Sequence, residues 1–273
     1  MSKLYKDMKG ELLKITDEQL RAQIDSMFEF EYAELARFGL EDKPSEILDF
    51  CCGNAYYLIQ LARKLPRVNF TGVELNEGFC EIAQERIKDA GIGNIRIVHK
   101  SIFDYTPDRK YDAIITRASL QYLFGRIDEY LRKANECLKD RGTLILIEPD
   151  DHFFMFYPEH PIFAKLQKVF SEVVSRQGGD RYMGRRLPQK MIGAGFKDIK
   201  FVPKLINNHD TGDRSMFENL RRFPVMLSLI NNENFSDEDA QLAVSTLDKM
   251  CDNSGSVIIL PLVMVKGTKG AKS

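Results

Sequence analysis

Residues 47–55 constrain this chain most, because an apolar run there ends in an acid and a turn of small residues. A helix-like segment follows over residues 56–65, and a second apolar run over 68–73 ends in a second acid, Glu74. This order of strand, loop, helix and acid-ended strand is typical of nucleotide sites in parallel α/β sheets. Small residues let the backbone approach a ligand, and the second acid can hold both hydroxyls of a ribose. The order therefore predicts a site for an adenosine-containing cofactor.

The charge of the loop indicates which cofactor it suits. A dinucleotide site requires several glycines, in the pattern G-x-G-x-x-G, around a pyrophosphate. Here the loop contains only Gly53 and begins with Asp49. A carboxylate beside the loop repels a pyrophosphate and attracts a cation. The loop therefore disfavours a nicotinamide-dependent oxidoreductase and favours S-adenosylmethionine, which carries a sulfonium and an ammonium and has no phosphate.

Four segments, in the usual order and at the usual spacing, carry a family resemblance. The first is LDFCCGNA at residues 48–55, which is similar to the motif L-D-x-G-C-G-x-G. Residues 103–104, 111–116 and 138–148 are similar to the later motifs. On these segments the chain resembles the class I S-adenosylmethionine-dependent methyltransferases of small-molecule type. The resemblance implies S-adenosylmethionine as the cofactor and S-adenosylhomocysteine as the product.

The same resemblance implies how the methionine end of the cofactor is held. Asp49 is expected to contact the ammonium, and the backbone of Cys51 and Gly53 is expected to approach the cofactor closely. Arg117 is expected to pair with the carboxylate, with a structural salt bridge as its alternative role. Cys51 and Ala55 stand where the family usually has glycine. If their backbone has a positive φ, each stores about 1 kcal/mol or more of strain.

The adenosine end is assigned from the resemblance as well. Glu74 is expected to accept both ribose hydroxyls, and Leu75 to pack near the adenine. Ser101 and Ile102, after the third strand, are expected to border and sandwich the adenine. A serine stands where many members have an aspartate for the adenine amino group, and a hydroxyl accepts that hydrogen bond less strongly than a carboxylate.

The alternation of strand and helix patterns predicts the fold. Strands and helices alternate from residue 45 to about 203, which indicates a doubly wound, Rossmann-like α/β sheet that is mostly parallel. Residues 257–265 are expected to form a final antiparallel strand. The core is expected over 41–206 and 255–267, with residues 1–40 as a helical segment covering the cofactor. Residues 207–254 are expected to form a helical cap over the pocket, with a dimerisation element as the alternative.

An aromatic stretch after the fifth strand, residues 150–158, marks the expected substrate side. Three residues in or beside it are candidate general bases: Asp150, His152 and His160. Four are candidate substrate contacts: Phe153, Phe154 and Tyr157 in this stretch, and Arg185 farther along the chain. Each has an ordinary structural alternative, such as a solvated histidine, core packing or a salt-bridged helix start. Methyl transfer requires a base only when the acceptor loses a proton as it attacks.

Bulk composition limits the other function classes. Lysine and arginine number 39 against 40 acidic residues, which gives no electrostatic case for nucleic acid or an anionic membrane. Five cysteines show no metal-ligand spacing, so we expect free thiols, no bound metal and a reducing cytoplasm. No apolar run approaches the roughly 20 residues that span a bilayer, and no signal-peptide core is evident.

The sequence thus predicts a methyltransferase that transfers a methyl group to an O, N or C atom of a small, partly apolar molecule. Two alternatives remain open. One is a member of the same fold that binds a ligand without methylating, which the substituted loop glycines motivate. The other is a protein or RNA methyltransferase, which the balanced charge disfavours. The acceptor and the oligomeric state, including a homodimer, are left open by the sequence.

Overall fold

The computed structural model describes residues 3–211 and 215–271. Within them, helices and strands alternate along the chain. The helices are α1 Lys3–Lys6, α2 Gly10–Arg37, α3 Tyr56–Lys64, α4 Glu77–Asp89, α5 Ile127–Cys137, α6 Pro161–Arg176, α7 Leu187–Gly193, α8 Asn208–Thr211, α9 Ser215–Asn231 and α10 Asp237–Asp252. The strands are β1 Ser45–Phe50, β2 Val68–Glu74, β3 Ile95–His99, β4 Tyr111–Arg117, β5 Leu138–Glu148, β6 Met155–Tyr157, β7 Phe196–Asn207 and β8 Val257–Lys269.

All eight strands form one sheet, and its pairing confirms the predicted fold class. The order is β3-β2-β1-β4-β5-β8, with β6 and β7 also paired to β8. The first five strands are parallel, whereas β8 runs antiparallel to β5, β6 and β7. Because β1, β2, β4 and β5 point the same way, their carboxyl ends meet at one edge, where doubly wound sheets bind ligands.

Alternating side chains of each central strand pack into separate cores on the two faces of the sheet. Ile47 belongs to the core that contains residues of α2, α3, α6, α9 and α10. Its neighbour Leu48 belongs to the core that contains residues of α5 and α7. The same alternation holds for Leu144 and Ile145 in β5. Strands buried on both faces are continuous apolar runs, which explains why they were recognisable in the sequence.

Several boundaries differ from those the sequence pattern predicts. Apolar residues at helical spacing predict a first long helix over 15–39, and that helix begins at Gly10. The apolar run 199–202 predicts a sixth strand, and this strand is β7, which extends to Asn207. A proline usually breaks a helical pattern, but Pro224 lies inside α9. A proline removes one helical hydrogen bond, and tertiary packing of α9 against α2 outweighs that loss.

Part of the aromatic stretch after β5 forms a short strand, Met155–Tyr157. Met155 and Tyr157 point outward and are exposed, whereas Phe156 between them is buried. Side chains alternate across a strand, so pairing with β8 directs every second residue away from the core. The strand geometry therefore separates neighbouring aromatic residues that the sequence grouped together.

The segment between β7 and β8 folds into helices that lie against the N-terminal helix. The Thr16 hydroxyl of α2 donates to the Leu12 carbonyl oxygen at 2.7 Å and lies 3.9 Å from the sulfur of Met226 in α9. The α10 helix begins with a capping box between Ser236 and Asp239. Residues 1–2 and 212–214 of the predicted covering segment and cap lie outside the described residues. None of the helices in the described ranges combines the length and apolar character needed to cross a membrane.

Candidate functional site

The loop after β1 has the left-handed backbone that its small residues suggested. Cys51, Gly53 and Ala55 have φ values of 66°, 54° and 55°. The amides of Cys51 and Cys52 both donate to the carbonyl oxygen of Val73 in β2, at 2.9 and 3.2 Å. A left-handed conformation costs a non-glycine residue roughly 1–2 kcal/mol. Cys51 and Ala55 therefore store strain at the positions where the family usually has glycine.

A glycine that the sequence analysis overlooked makes room for this loop. Gly72 lies in β2, and a Cβ added there would be 2.5 Å from the sulfur of Cys52 and 2.9 Å from Leu58. The loop therefore packs directly on the backbone of the neighbouring strand. A glycine in the middle of a strand pattern is the signal for such a close approach.

Asp49, at the end of β1, is the residue of the loop region that is best suited to bind a cationic ligand. The residue is 2% exposed, and its Oδ1 atom is buried without a hydrogen-bond partner. Burial, and then the charge of Glu74, raise the pKa of Asp49 well above its ordinary value, while Arg117 opposes the shift. A buried acceptor without a donor is costly. An ammonium group at this point would satisfy the atom, so the residues present fit S-adenosylmethionine.

The Glu74 carboxylate is fully engaged by groups of the protein itself. One oxygen accepts from the amides of Leu75 and Asn76, both at 2.7 Å. The other accepts from the Gly53 amide at 2.9 Å and from the Tyr5 hydroxyl at 3.2 Å. Burial raises the pKa of Glu74, and the three amides oppose that shift. The Tyr5 hydroxyl thus occupies a position on the carboxylate that a ribose hydroxyl requires.

The N-terminal segment is held over this carboxylate by Asn76. The side-chain nitrogen of Asn76 donates to the carbonyl oxygens of Tyr5 and Met8, at 2.8 and 3.0 Å. Its side-chain oxygen caps α4 by accepting from the Phe79 amide, at 2.9 Å. One asparagine therefore ties the start of the chain to the helix that follows Glu74.

A buried clamp joins α2, the loop and α4. Asn54 donates to Asp17 at 2.8 Å, and Arg86 donates to both carboxylate oxygens of Asp17 and to the Asn54 carbonyl, at 3.0–3.1 Å. These residues are far apart in the sequence and meet only in the folded chain. The clamp fixes α2 over the loop, and no local sequence pattern identified it.

Arg117 lies at the carboxyl end of β4, where it was predicted, but its charge is already compensated. Its guanidinium donates to both oxygens of Glu31 at 2.8 Å and to Gln23 at 2.8 Å. It also lies over the ring of Tyr57, 5.3 Å from the centroid. The pair is almost completely buried. The structure therefore favours the salt-bridge alternative over a free cation that awaits the cofactor carboxylate.

The predicted adenine contacts, Leu75, Ser101 and Ile102, follow the ends of β2 and β3. None of them lines the cavity that lies beside Asp49. Leu75 and Ser101 are half-buried, and the Ser101 hydroxyl accepts from the Phe103 amide at 3.2 Å. Ile102 is 3% exposed and packs in the core with Phe50. Their roles toward adenine remain predictions, and Ile102 presents little surface to a ligand.

A cavity of about 240 Å³ opens beside Asp49 and the loop. Its walls come from α2, α6, α9 and the middle of β8, and they are mainly apolar. The apolar side chains that line it include Leu20, Ile24, Met27, Tyr57, Tyr122, Phe154, Leu166, Phe170, Val174, Leu220, Phe223, Met226, Ile230, Leu260 and Leu262. Gln19 of α2 donates to Asn219 of α9 at 3.2 Å, which joins two walls through a buried hydrogen bond. The helical cap therefore forms part of the wall.

Most of the substrate-side residues predicted from the sequence lie outside this cavity. Phe154 lines it, whereas Phe153 and Tyr157 are exposed, at 43% and 61%. Strand alternation and a turn direct those two rings to solvent. His152 is exposed too, and His160 caps α6 by accepting from the Ile162 amide at 3.2 Å.

Asp150 and Arg185 form an ion pair beside the cavity and do not line it. The Arg185 guanidinium donates to both oxygens of Asp150, at 2.9 and 3.0 Å. Asp150 is completely buried, and its carboxylate also caps the 3-10 turn that begins at Asp151. These contacts give both residues structural roles, and their assignment to catalysis and substrate binding stays a prediction.

The adjacent acid, Asp151, faces the cavity instead. Arg181 donates to its two carboxylate oxygens at 2.6 and 2.7 Å, and also to the side-chain oxygen of Gln121. Asp151, Arg181 and Gln121 all line the cavity. In the sequence Asp150 and Asp151 are neighbours, and Arg181 and Arg185 are four positions apart, so no local pattern separates the pair that faces the cavity from the pair beside it.

Glu148, which ends β5, supports the loop after β4. Its carboxylate accepts from the amides of Ser119, Leu120 and Gln121, at 2.8, 2.7 and 3.3 Å. Burial raises the pKa of Glu148 to about 7, although the three amides oppose the shift. In the described ranges no three histidine, cysteine or acidic side chains converge as metal ligands.

Comparison with known proteins agrees with this geometry. A family described as a methyltransferase domain matches residues 47–142. A demethylmenaquinone methyltransferase of Geobacillus kaustophilus is 24% identical over 178 residues, which are 59% of this chain and 74% of that protein. A demethylmenaquinone methyltransferase of Listeria welshimeri is 27% identical over 174 residues, covering 59% of this chain and 73% of that protein.

Solved structures share the fold. Phosphoethanolamine N-methyltransferase 2 of Haemonchus contortus, in complex with S-adenosyl-L-methionine, superposes with a TM-score of 0.59 at 16% identity over 89% of this chain. This chain spans 52% of that structure's length. Geranyl diphosphate C-methyltransferase of Streptomyces coelicolor gives a TM-score of 0.53 at 14% identity, over 88% of this chain and 79% of that one. The fold, the acid-ended strands and the methyltransferase-domain match over residues 47–142 together support a class I S-adenosylmethionine-dependent methyltransferase.

Proposed function

We propose that this protein transfers a methyl group from S-adenosylmethionine to an O, N or C atom of a small, partly apolar molecule bound in the cavity beneath α9. The observation that carries the proposal is the continuity of the site. Asp49, whose Oδ1 atom is buried without a hydrogen-bond partner, and the mainly apolar side chains line one and the same cavity. A methyl donor anchored at Asp49 would therefore face an acceptor in the chamber.

The chain's own residues would bind and orient the cofactor. Asp49 would hold the ammonium, and the backbone of Cys51 and Gly53 would approach the methionine part. Glu74 would hold the ribose once the Tyr5 hydroxyl moves away from its carboxylate. The sulfonium supplies an activated methyl group, so the chemistry that remains is alignment and exclusion of water. The apolar walls and the covering helices α2 and α9 serve both needs.

No histidine lines the cavity among the described residues, so a histidine base is not proposed. Apart from Asp49, which is assigned to the cofactor, the acidic groups among the described lining residues are the carboxyl of Asp151, the phenols of Tyr5, Tyr57 and Tyr122, and the thiols of Cys51 and Cys52. Burial raises the pKa of the phenols and of the thiols, which keeps them protonated near neutral pH. An acceptor that is already nucleophilic requires no base at all, because only alignment is needed.

The names of the relatives support a small acceptor. The Geobacillus relative is named for methylation of demethylmenaquinone, and the Streptomyces structure for methylation of geranyl diphosphate. The cavity has the enclosed character of a small-molecule site. Balanced overall charge gives no support to a nucleic-acid substrate.

Calorimetric titration with S-adenosylmethionine and S-adenosylhomocysteine tests the first half of the proposal. We expect both to bind the native chain and neither to bind after Asp49→Ala or Glu74→Ala. Retained affinity in both variants would overturn the assignment of the cofactor site. Mass spectrometry of small acceptors incubated with the protein and the methyl donor tests the second half, through the mass of one added methylene.

A member that binds the cofactor without transferring its methyl group is the second candidate. The strained loop and the engagement of Glu74 by Tyr5 favour it, because both weaken cofactor binding. A cyclase, SpnF, shares this fold with a TM-score of 0.54 at 15% identity over 85% of this chain and 77% of that one. Cofactor binding without methyl transfer to any acceptor tested would select this alternative.

A further inference from the structure

The charges inside the cavity are nearly all balanced by the protein. Among the described lining residues, four carry a formal charge: Asp49, Arg117, Asp151 and Arg181. Arg117 is neutralised by Glu31, and Arg181 by Asp151. Asp49 alone lacks a cationic partner at hydrogen-bond distance, and the proposed function assigns it to the cofactor ammonium. Nothing remains in the lining to neutralise a charged acceptor.

The Asp151–Arg181 pair is held rigidly. The guanidinium lies over the ring of Phe170, 4.7 Å from the centroid, and donates to Gln121 as well as to Asp151. The Asp151 amide donates to the Arg181 carbonyl at 3.1 Å. Both side chains are about nine-tenths buried. The pair therefore presents a fixed polar surface in an otherwise apolar wall.

The backbone around Arg181 explains this rigidity. The Asp180 amide donates to the Gln121 carbonyl oxygen at 2.7 Å. A Cβ added to Gly179 would be 2.3 Å from that same oxygen, so only glycine allows the approach. The double glycine at 178–179 therefore brings the arginine segment against the loop that follows β4. The sequence pattern alone gave this double glycine no role, and the structure shows that it permits this close packing.

Arg181 retains hydrogen-bonding capacity toward a ligand. A guanidinium has five N–H donors. The hydrogen bonds of Arg181 to Asp151 and Gln121 use one N–H on each of its three nitrogens. The two remaining N–H groups suit a carbonyl or hydroxyl oxygen. An anion would bring a second negative charge beside the buried Asp151 carboxylate, which is costly in a poorly hydrated site.

We propose that the Asp151–Arg181 pair binds an uncharged oxygen-bearing group of the acceptor, and that the cavity selects neutral over anionic acceptors. The acceptor class is an apolar molecule, aromatic or aliphatic, with a neutral hydroxyl or carbonyl group near its reacting atom. This inference rests on the proposed function, because it assumes that the chamber beside the cofactor is the acceptor site.

Two probes with the same ring system test the inference. Both 2-naphthol, which is neutral at pH 7, and 2-naphthoate, which is an anion, are titrated into the full chain loaded with S-adenosylhomocysteine. We expect 2-naphthol to bind at least about tenfold more tightly. Preference for 2-naphthoate, or binding of neither probe by the loaded protein, would overturn the inference.

A charge variant sharpens the test. Asp151→Asn leaves Arg181 as an uncompensated cation in the cavity, so the preference is expected to shift toward 2-naphthoate by about tenfold or more. Asp150→Asn is the matched control, because Asp150 is also paired with an arginine but does not line the cavity. Its probe ratio should equal that of the native chain. Equal ratios in all three proteins would contradict the assignment of Arg181.

Binding of S-adenosylhomocysteine separates this inference from the proposed function. If the native chain does not bind it, the cofactor assignment fails and the probe experiment does not apply to a methyltransferase. If it binds and the probes rank in the wrong order, only the acceptor inference fails. If Asp151→Asn does not fold, the ranking in the native chain still decides the inference.

Discussion

At the scale of single residues, the site depends on buried acids whose environment disfavours their charge. Asp49 and Glu74 have raised pKa values because burial removes both from water, and the charge of Glu74 adds to the shift of Asp49. A cationic ligand reverses this effect for Asp49, since its ammonium stabilises the carboxylate. Cofactor binding and proton release are therefore linked at this residue.

This linkage gives a pH prediction. In the free protein the raised pKa of Asp49 favours the protonated form, and the bound ammonium favours the ionised form, so binding releases a proton. We expect affinity for S-adenosylmethionine to rise with pH above the ordinary range of an aspartate, until Asp49 is ionised in the free protein. Calorimetry in two buffers with different ionisation enthalpies measures the released proton.

Asp49→Asn removes the titrating group and should lower the affinity by about tenfold or more, without proton release from this site. Asp150→Asn is the control, since that acid does not line the cavity. A native binding enthalpy that is the same in both buffers would refute the linkage.

The strain at Cys51 gives a stability prediction. Cys51→Gly relieves a left-handed backbone, whereas Cys51→Ala keeps the Cβ and the strain and removes only the thiol. We expect the glycine variant to be more stable than the alanine variant by about 1 kcal/mol, because the relieved strain exceeds the extra freedom of the unfolded chain. Urea unfolding of the two variants gives the difference. An alanine variant as stable as the glycine variant would mean that the loop is not strained.

At the scale of elements, the start of the chain and α9 both cover the site, but in different ways. The N-terminal segment reaches Glu74 through Tyr5 and is anchored by Asn76. The α9 helix is anchored to α2 by the Gln19–Asn219 hydrogen bond. The first element therefore contacts Glu74, the proposed ribose ligand, and the second lines the cavity proposed for the acceptor.

The N-terminal segment competes with the cofactor for Glu74. Tyr5→Phe removes the competing hydroxyl and keeps the ring that packs on Phe79, with centroids 5.8 Å apart. We expect this variant to bind S-adenosylmethionine about two- to tenfold more tightly, because one hydrogen bond no longer has to be exchanged. Calorimetric titration measures the change. Weaker binding would mean that the hydroxyl contacts the bound cofactor instead of competing with it.

At the scale of the whole molecule, the fold positions a buried carboxyl, Glu148 at the end of β5, against the loop that connects β4 to α5. Folding raises the pKa of this group to about 7, so the folded chain holds a proton that the unfolded chain releases. Stability from this group is full below the ordinary glutamate range and is lost as the pH rises through about 7.

Glu148→Gln removes this titration. We expect the native chain to lose stability between about pH 5 and pH 8, and the variant to lose measurably less over the same interval. Any destabilisation caused by the glutamine amide itself is the same at both pH values. The two proteins are therefore compared by how much stability each loses between the two pH values, and not by their absolute stabilities. Thermal unfolding at the two pH values measures it. Parallel pH profiles would show that Glu148 does not titrate in this range.

The sequence by itself determined the fold class and the position of the cofactor loop. Both depend on local patterns: apolar runs for strands buried on two faces, an acid at each strand end, and small residues at positive φ. Asp49, Glu74 and the loop were identified in this way. Residues 257–265, which lie in β8, were likewise predicted to form a strand because they are one continuous apolar run.

Which side chains line the proposed acceptor cavity depends on the tertiary structure. Asp150 and Asp151 are neighbours in the sequence, yet the turn after β5 directs one carboxylate to Arg185 and the other into the cavity. Gln121 and Arg181 are 60 positions apart and meet only when Gly179 packs against the loop after β4. Side-chain direction and long-range contact follow from packing of the whole chain, so no local pattern contains them.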